Sequence, residues 1–434
     1  MQTQSPLPKN WAARFFTIWT GQAFSLFGSS LVQFALVWYL TRETGSATVL
    51  ATASLFAMLP QILLGPLAGA YVDRHNRRVV MIVSDSITAL ATLLLAGLFA
   101  MGWVQPWHVF LLMAIRSACG SFQWPAMSAS TALMVPKEQL TRVGGLNQML
   151  QGLMGLVAPP VGALLISVLP TQAVLMIDVG TALLAILPLL FIPIPQPVRQ
   201  GVDVAQAGQP ESLWADMRAG LRFMLGWPGL LGIGIIATFI NFLLTPMSAL
   251  MPLLITKHFG LGALELGFTD TAWGAGIVAG GLILGAWGGF KRRIITSMTG
   301  IIGLGAGVVV VGLAPASMFW VALAGMALVG VMNSFANGPL HAILQAVVPP
   351  EMQGRVMSLI STVAMGISPL SLIIAGPLAD AIDIRFWYLL GGGLTLLMGL
   401  ASFFVPAIMN VESNHQHAAA PEITPDDVAL LSAD

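Results

Sequence analysis

The chain has 434 residues, 56% of them hydrophobic and only 8% charged, whereas a soluble globular domain carries about 25% charged residues. That leaves too little polar material to cover a water-facing surface. Lysine plus arginine balances aspartate plus glutamate at 18 each, so no basic field points to nucleic acid, and the single cysteine, Cys119, excludes an intramolecular disulfide.

Residues 1–10 are polar and lack the apolar core and small-residue cleavage site of a secretory signal, so the first membrane segment is expected to be retained. Apolar windows and their breakers then predict six helices, at 15–40, 46–72, 79–101, 107–134, 140–168 and 172–193, each near the ~20 residues that cross ~30 Å of hydrocarbon. Residues 193–227 hold Pro193, Pro195, Pro197 and Pro210 with much of the local charge. They read as a linker ending in a short amphipathic helix at 214–223. Six more helices follow at 229–256, 264–289, 294–314, 317–347, 353–382 and 386–410. The tail, 411–434, has five acids and neither lysine nor arginine, a composition expected of a disordered segment. The expected fold class is an all-α membrane protein of twelve transmembrane helices in two pseudo-symmetric six-helix halves. Its divisions are 1–193, a cytoplasmic linker 194–228, 229–410 and the tail 411–434.

With the N-terminus inside, fourteen basic residues fall in cytoplasmic segments, and only Arg42, Lys257 and Arg385 fall outside. That asymmetry places both termini in the cytoplasm of a multi-pass inner (plasma) membrane protein. The halves also align: a shift of 213 residues puts Met113-Ala114 on Met326-Ala327, Val135-Pro136 on Val348-Pro349, and Arg142-Val143 on Arg355-Val356. An internal duplication is the architecture of many secondary transporters.

The loop after the second segment reads Gly69-Ala70-Tyr71-Val72-Asp73-Arg74-His75-Asn76-Arg77-Arg78, which resembles the loop signature of the major facilitators. The resemblance implies a conformational latch built from Gly69, Asp73, Arg74, Arg77 and Arg78. In that latch Gly69 lets two helices approach, and Asp73 accepts hydrogen bonds from a neighbouring helix N-terminus. The competing reading is that the basic residues only set topology. Asn76 stands where the family has glycine and tolerates a left-handed backbone.

Arg116, followed by Gly120 in the fourth segment, resembles the family's intramembrane arginine motif, associated with proton coupling. It lies ~13 Å deep at 1.5 Å per residue, where a charge costs at least ~2.5 kcal/mol and must face protein or water. The alternative is a structural arginine satisfied by backbone carbonyls. Asp178 and Asp85, each ~9 Å from its own segment end, are the carboxylates that could trade a proton, or else interfacial acids. Ala158-Pro159-Pro160-Val161-Gly162-Ala163 is close to the family's antiporter signature, with Ala158 in place of glycine.

Polar residues at helical spacing sketch a substrate cavity: Gln22, Ser25, Ser29 and Gln33 on the first segment, Arg116 and Gln123 on the fourth, Asn241 on the seventh, Asn337 and His341 on the tenth. Helix-to-helix hydrogen bonding is the plainer use of the same residues. Phe16-Thr17-Ile18-Trp19-Thr20-Gly21-Gln22, Thr44-Gly45-Ser46-Ala47 and Pro136-Lys137-Glu138-Gln139-Leu140-Thr141 are similar to the macrolide efflux branch of the major facilitators. That resemblance implies proton-driven export of a bulky amphipathic compound, with a siderophore as the alternative cargo. The expected partners are a small-molecule substrate, protons and the lipid bilayer, with the protein a monomer. No phosphate-binding Gly-x-x-x-x-Gly-Lys-Ser/Thr run occurs, which disfavours an ATP-driven pump. The scattered histidines show no metal spacing, so neither a cofactor, a metal nor the remaining class, a membrane-embedded enzyme, is expected.

Overall fold

The computed structural model describes residues 10–196 and 221–412. Every regular element among them is helical: α1 Trp11–Thr44, α2 Ala47–Arg74, α3 Arg77–Met101, α4 Pro106–Met134, α5 Leu140–Val168, α6 Thr171–Phe191, α7 Pro228–Leu253, α8 Ala263–Trp287, α9 Arg293–Leu313, α10 Phe319–Val347, α11 Pro350–Gly366, α12 Ser368–Ala381, α13 Ile384–Ser402 and the single turn α14 Pro406–Met409. Since α11 and α12 abut at Ile367, the long helices form twelve consecutive segments.

Local chemistry sets the boundaries. Gly45, at φ 57°, closes α1 with its N–H on the Thr41 carbonyl, and Ser46 caps α2 by accepting from Val49 N–H. Glycine adopts that left-handed conformation without a Cβ penalty, which is why it commonly ends helices. The expected helix at 353–382 is broken because Pro369 has no N–H to offer the Met365 carbonyl. The expected 386–410 helix ends at Ser402, leaving α14 as a separate turn. Of the linker helix expected at 214–223, residues before 221 lie outside the described residues, as does the tail from 413 onward.

Among the described residues ten helices are long and apolar enough to cross a membrane by length and composition alone. Helices α4 and α8 fall short of that measure, though both run the full span. They carry Arg116 and Asp270, and polar content of this kind is tolerated where a helix lines a cavity instead of lipid.

The shift of 213 seen in the sequence recurs in the helices. It carries α4 onto α10 at both ends, and it carries the start of α6 onto the start of α13 and the end of α5 onto the end of α12. The first six helices pack on one another, α1 against α5 and α6, and α4 against α2 and α3. The later ones do likewise, with α10 against α8 and α9, and α9 against α13. Small residues set these contacts: a methyl group on Gly276 or Gly300 would strike the α10 backbone at Ala327 or Ala336.

Two seams join the sets, α2 with α12 and α5 with α8. Both are closed toward the end of the molecule that bears Gly45. A methyl on Gly376 (α12) would stand 2.9 Å from the Thr48 Cα, and one on Gly267 (α8) 2.9 Å from the Ala163 Cβ. Toward the opposite end, which bears Asp73, a methyl on Gly69, Gly145 or Gly285 would meet nothing within 4 Å. The expectation that Gly69 mediates a close helix approach is therefore corrected for this conformation, because the helices have splayed apart there.

Candidate functional site

A cavity of about 700 Å³ lies between the two helix sets, within the ~300–1,000 Å³ range of ligand sites. From α1 it is lined by Gln22, Ser25, Ser29 and Gln33, from α3 by Asp85, from α4 by Arg116 and Gln123, and from α6 by Asp178. The sequence-predicted coupling residues and the polar face of α1 thus converge on one wall.

That wall holds two hydrogen-bonded clusters. In the first, Arg116 Nη1 donates to Asp178 Oδ2 at 2.6 Å and to Thr92 Oγ1 at 3.0 Å, and Ser29 Oγ donates to Asp178 Oδ1 at 3.2 Å. Gly28 makes the last contact possible, since any Cβ there would collide with Thr181 Oγ1 on α6. Asp178 is 1% exposed, so its charge is balanced by Arg116 and not by water. In the second cluster Asp85 Oδ2 accepts from Gln22 Nε2 at 2.9 Å and from Gln123 Nε2 at 3.1 Å. Gln123 Nε2 also donates to Gln22 Oε1 at 2.7 Å. The arginine is met by a carboxylate and a hydroxyl; the alternative of backbone carbonyls is not what surrounds it.

The residues predicted on the later helices are placed elsewhere. Asn241 and Asn337 line a separate cavity of about 340 Å³ among α7, α9 and α10. Each gives its amide to a carbonyl of its own helix, Asn241 to Ala237 O and Asn337 to Asn333 O. His341 is exposed and lines neither cavity. Cys119, half-buried, lines the larger cavity. Asp270 of α8, which sequence reasoning missed, also lines it. It lies ~10 Å along its helix at 1.5 Å per residue, close to the ~9 Å of Asp85 and Asp178, which is the signal that could have found it.

The loop residues behave differently from the expected latch. Asp73, 73% exposed in the last turn of α2, accepts from the Arg77 side chain at the start of α3 through Nη2 at 3.4 Å, and no backbone N–H of a described helix start is bonded to it. Arg77 is largely buried, and its N–H donates to Gln196 Oε1. Arg78 donates to the Leu189 and Leu190 carbonyls, satisfying the end of α6. Arg74 is exposed. Asn76 is in extended conformation and caps α3, accepting from Arg78 and Val79 N–H, which corrects the left-handed expectation. The chemistry expected of Asp73 occurs at the opposite end. Asp380, in the last turn of α12, accepts from Ala47 N–H at 2.7 Å, Thr48 N–H at 2.9 Å, Ser46 Oγ at 2.8 Å and Thr48 Oγ1 at 2.7 Å. An anion on the exposed N–H groups of a helix start is favourable electrostatically as well as by hydrogen bonding.

The antiporter-like run lies at the closed seam. Pro159 has no N–H for the Gly155 carbonyl, and that carbonyl faces Gly274 of α8 at 3.4 Å from a Cβ position. Gly162 admits the Phe34 ring of α1.

The family model for the Major Facilitator Superfamily matches residues 18–368 and 234–428. Macrolide efflux protein A of Streptococcus pyogenes is 34% identical over 403 residues, covering 93% of this chain and 98% of that protein. Multidrug efflux pump Tap of Mycolicibacterium fortuitum is 27% identical over 402 residues, covering 89% and 94%. Among solved structures, a D-xylose-proton symporter superposes with a TM-score of 0.68 at 15% identity, covering 91% of this chain and 98% of that one, a likeness of fold.

Proposed function

Because the chain belongs to the Major Facilitator Superfamily, we propose that it is a secondary active exporter that expels a bulky amphipathic drug of the macrolide type in exchange for protons. The end-to-end similarity to Macrolide efflux protein A supports the cargo class. The observation that carries the coupling is the buried Arg116–Asp178 pair on the cavity wall. A carboxylate held ionised by one arginine can accept a proton when cargo or a change of conformation draws the arginine away. Asp85, held only by neutral amides, is the second proton acceptor within the same wall.

The distribution of basic residues orients the protein in the inner (plasma) membrane with the Asp73 end and both termini cytoplasmic. In that frame the conformation described is sealed outside, by Asp380 on α2 and by the α5/α8 seam, and open inside. It is the state that would load cargo from the cytoplasm. The helices 1–193 and 229–410 then act as two bodies that rock about the central cavity, and Gly69, Asp73, Arg74, Arg77 and Arg78 engage when the inner side closes. The protein functions as a monomer in this scheme, with no cofactor in the cycle.

The test is drug accumulation in cells with and without the protein, across macrolides and siderophores. Lower macrolide accumulation is expected in cells that carry it. Unchanged macrolide levels would sink the reading, and a change confined to siderophores would reassign the cargo.

A further inference from the structure

The cavity's carboxylates are satisfied unequally. On the wall built by α1, α3, α4 and α6, Asp85 and Asp178 have amide, hydroxyl or guanidinium donors. On the facing wall Asp270 lines the same space and accepts no hydrogen bond from any described residue. The same cavity is lined from α5 by Gln151, Met154 and Pro159, from α7 by Ser248 and Met251, and from α8 by Leu266. The one basic side chain in the lining is Arg116, and it is already bound to Asp178. Three carboxylates therefore share a single cation.

A carboxylate that lines an intramembrane cavity without a hydrogen-bonding or charged partner is costly, and a ligand that supplies the missing charge recovers that cost. Methionines with a flexible, polarisable thioether suit a ligand of variable shape, and the size of the space suits one much larger than a metal ion or water. Charge and surface together describe one ligand class. We infer that Asp270 selects the cargo: it pairs with the positively charged nitrogen of an amphipathic organic cation whose apolar body lies on Met154, Pro159 and Met251. This deepens the efflux reading and rests on it for the cavity's role. It divides the labour between the walls, with proton exchange on the α4/α6 side and cargo charge read on α8.

Binding to the purified full-length protein in detergent tests this without requiring transport. The probe is tetraphenylphosphonium, whose charge does not titrate, and the control is triphenylphosphine oxide, similar in shape and neutral. The wild-type protein should bind the cation at least about tenfold more tightly than the neutral compound. Asp270→Asn should remove that preference while leaving the neutral compound's affinity unchanged, and Asp270→Glu should restore it. Three results would overturn the assignment: no preference in the wild type, an undiminished preference in Asp270→Asn, or equal loss of both probes, which would make Asp270 a packing residue. Selective cation binding by a protein that lowers no drug accumulation in cells would instead sink the efflux reading and leave the cation site standing.

Discussion

Arg116 meets its partners through one nitrogen: Nη1 reaches both Asp178 Oδ2 and Thr92 Oγ1. A planar fork is not what the site uses, so a lysine ammonium of adequate reach can serve the same two oxygens, unlike at a bidentate site. Arg116→Lys is therefore expected to retain part of the gradient-driven export. Arg116→Ala leaves Asp178 buried without its counter-charge, a loss of about 3–5 kcal/mol if the group stays ionised, and the carboxyl escapes that cost by holding a proton. A carboxyl that keeps its proton on both sides of the membrane carries no proton current. The Ala variant reconstituted in proteoliposomes should then export no faster with an imposed pH gradient than without one. An equal response to the gradient in Arg116→Ala and wild type would make the arginine structural. How far such residues were readable beforehand differs within the site. Arg116, Asp85 and Asp178 are conspicuous because each interrupts a long apolar run. Their pairing was not legible, because it depends on how α1, α3, α4 and α6 pack. Asp270 sits between two threonines in a glycine-rich helix and was hidden by that polar local context.

The seam of α2 and α12 is held by side-chain contacts as well as by close packing. Asp380 holds the start of α2 through two backbone N–H groups and two hydroxyls, and removing a cap of this kind costs roughly 1 kcal/mol. The charge adds about 0.3–1 kcal/mol from the helix terminus. Because these contacts join the two helix sets, their loss should fall on the equilibrium between conformations more than on folding. A change near 1.4 kcal/mol alters that equilibrium about tenfold. Spin labels at Arg42 and Ile382 in an Asp380→Ala background should accordingly show a longer-distance population that the parent lacks. Distances identical to the parent's would mean that Gly376 packing alone closes the seam. The helices themselves were largely legible from apolar periodicity, and their duplication from the paired charges Arg142 and Arg355. Two details were not. The break at Ile367 depends on where Pro369 falls within a turn, and the full length of α1 depends on Gly45 adopting a left-handed backbone, not on any drop in hydrophobicity.

At the scale of the molecule, one end is sealed and the other open, so residues that act only in the opposite state must look idle here. Asp73 fits that description. Its one ion pair among the described residues, with Arg77 at 3.4 Å, leaves the carboxylate 73% exposed, and pairs open to solvent in this way contribute about 0–1 kcal/mol. The surrounding Gly69 has room that nothing fills. If both became engaged when the inner side closes, Asp73→Asn would spare this conformation and weaken only the other, shifting the balance toward the inward-open state. The expected result is a variant that reaches the membrane at normal levels, unfolds at the parent's temperature and yet exports drug several-fold more slowly, the rate falling about tenfold for each 1.4 kcal/mol of lost closed-state stability. Export in this direction requires that the Asp73 end face the cytoplasm. Reporter fusions after Asn10 and after the tail should both read cytoplasmic, and one near Gly260 should read external. An external reading at either terminus would invert the assignment of loading and release. Wild-type export by a well-expressed Asp73→Asn variant, with the fusions as expected, would show instead that the loop's basic residues set topology and that the inner side closes by packing alone.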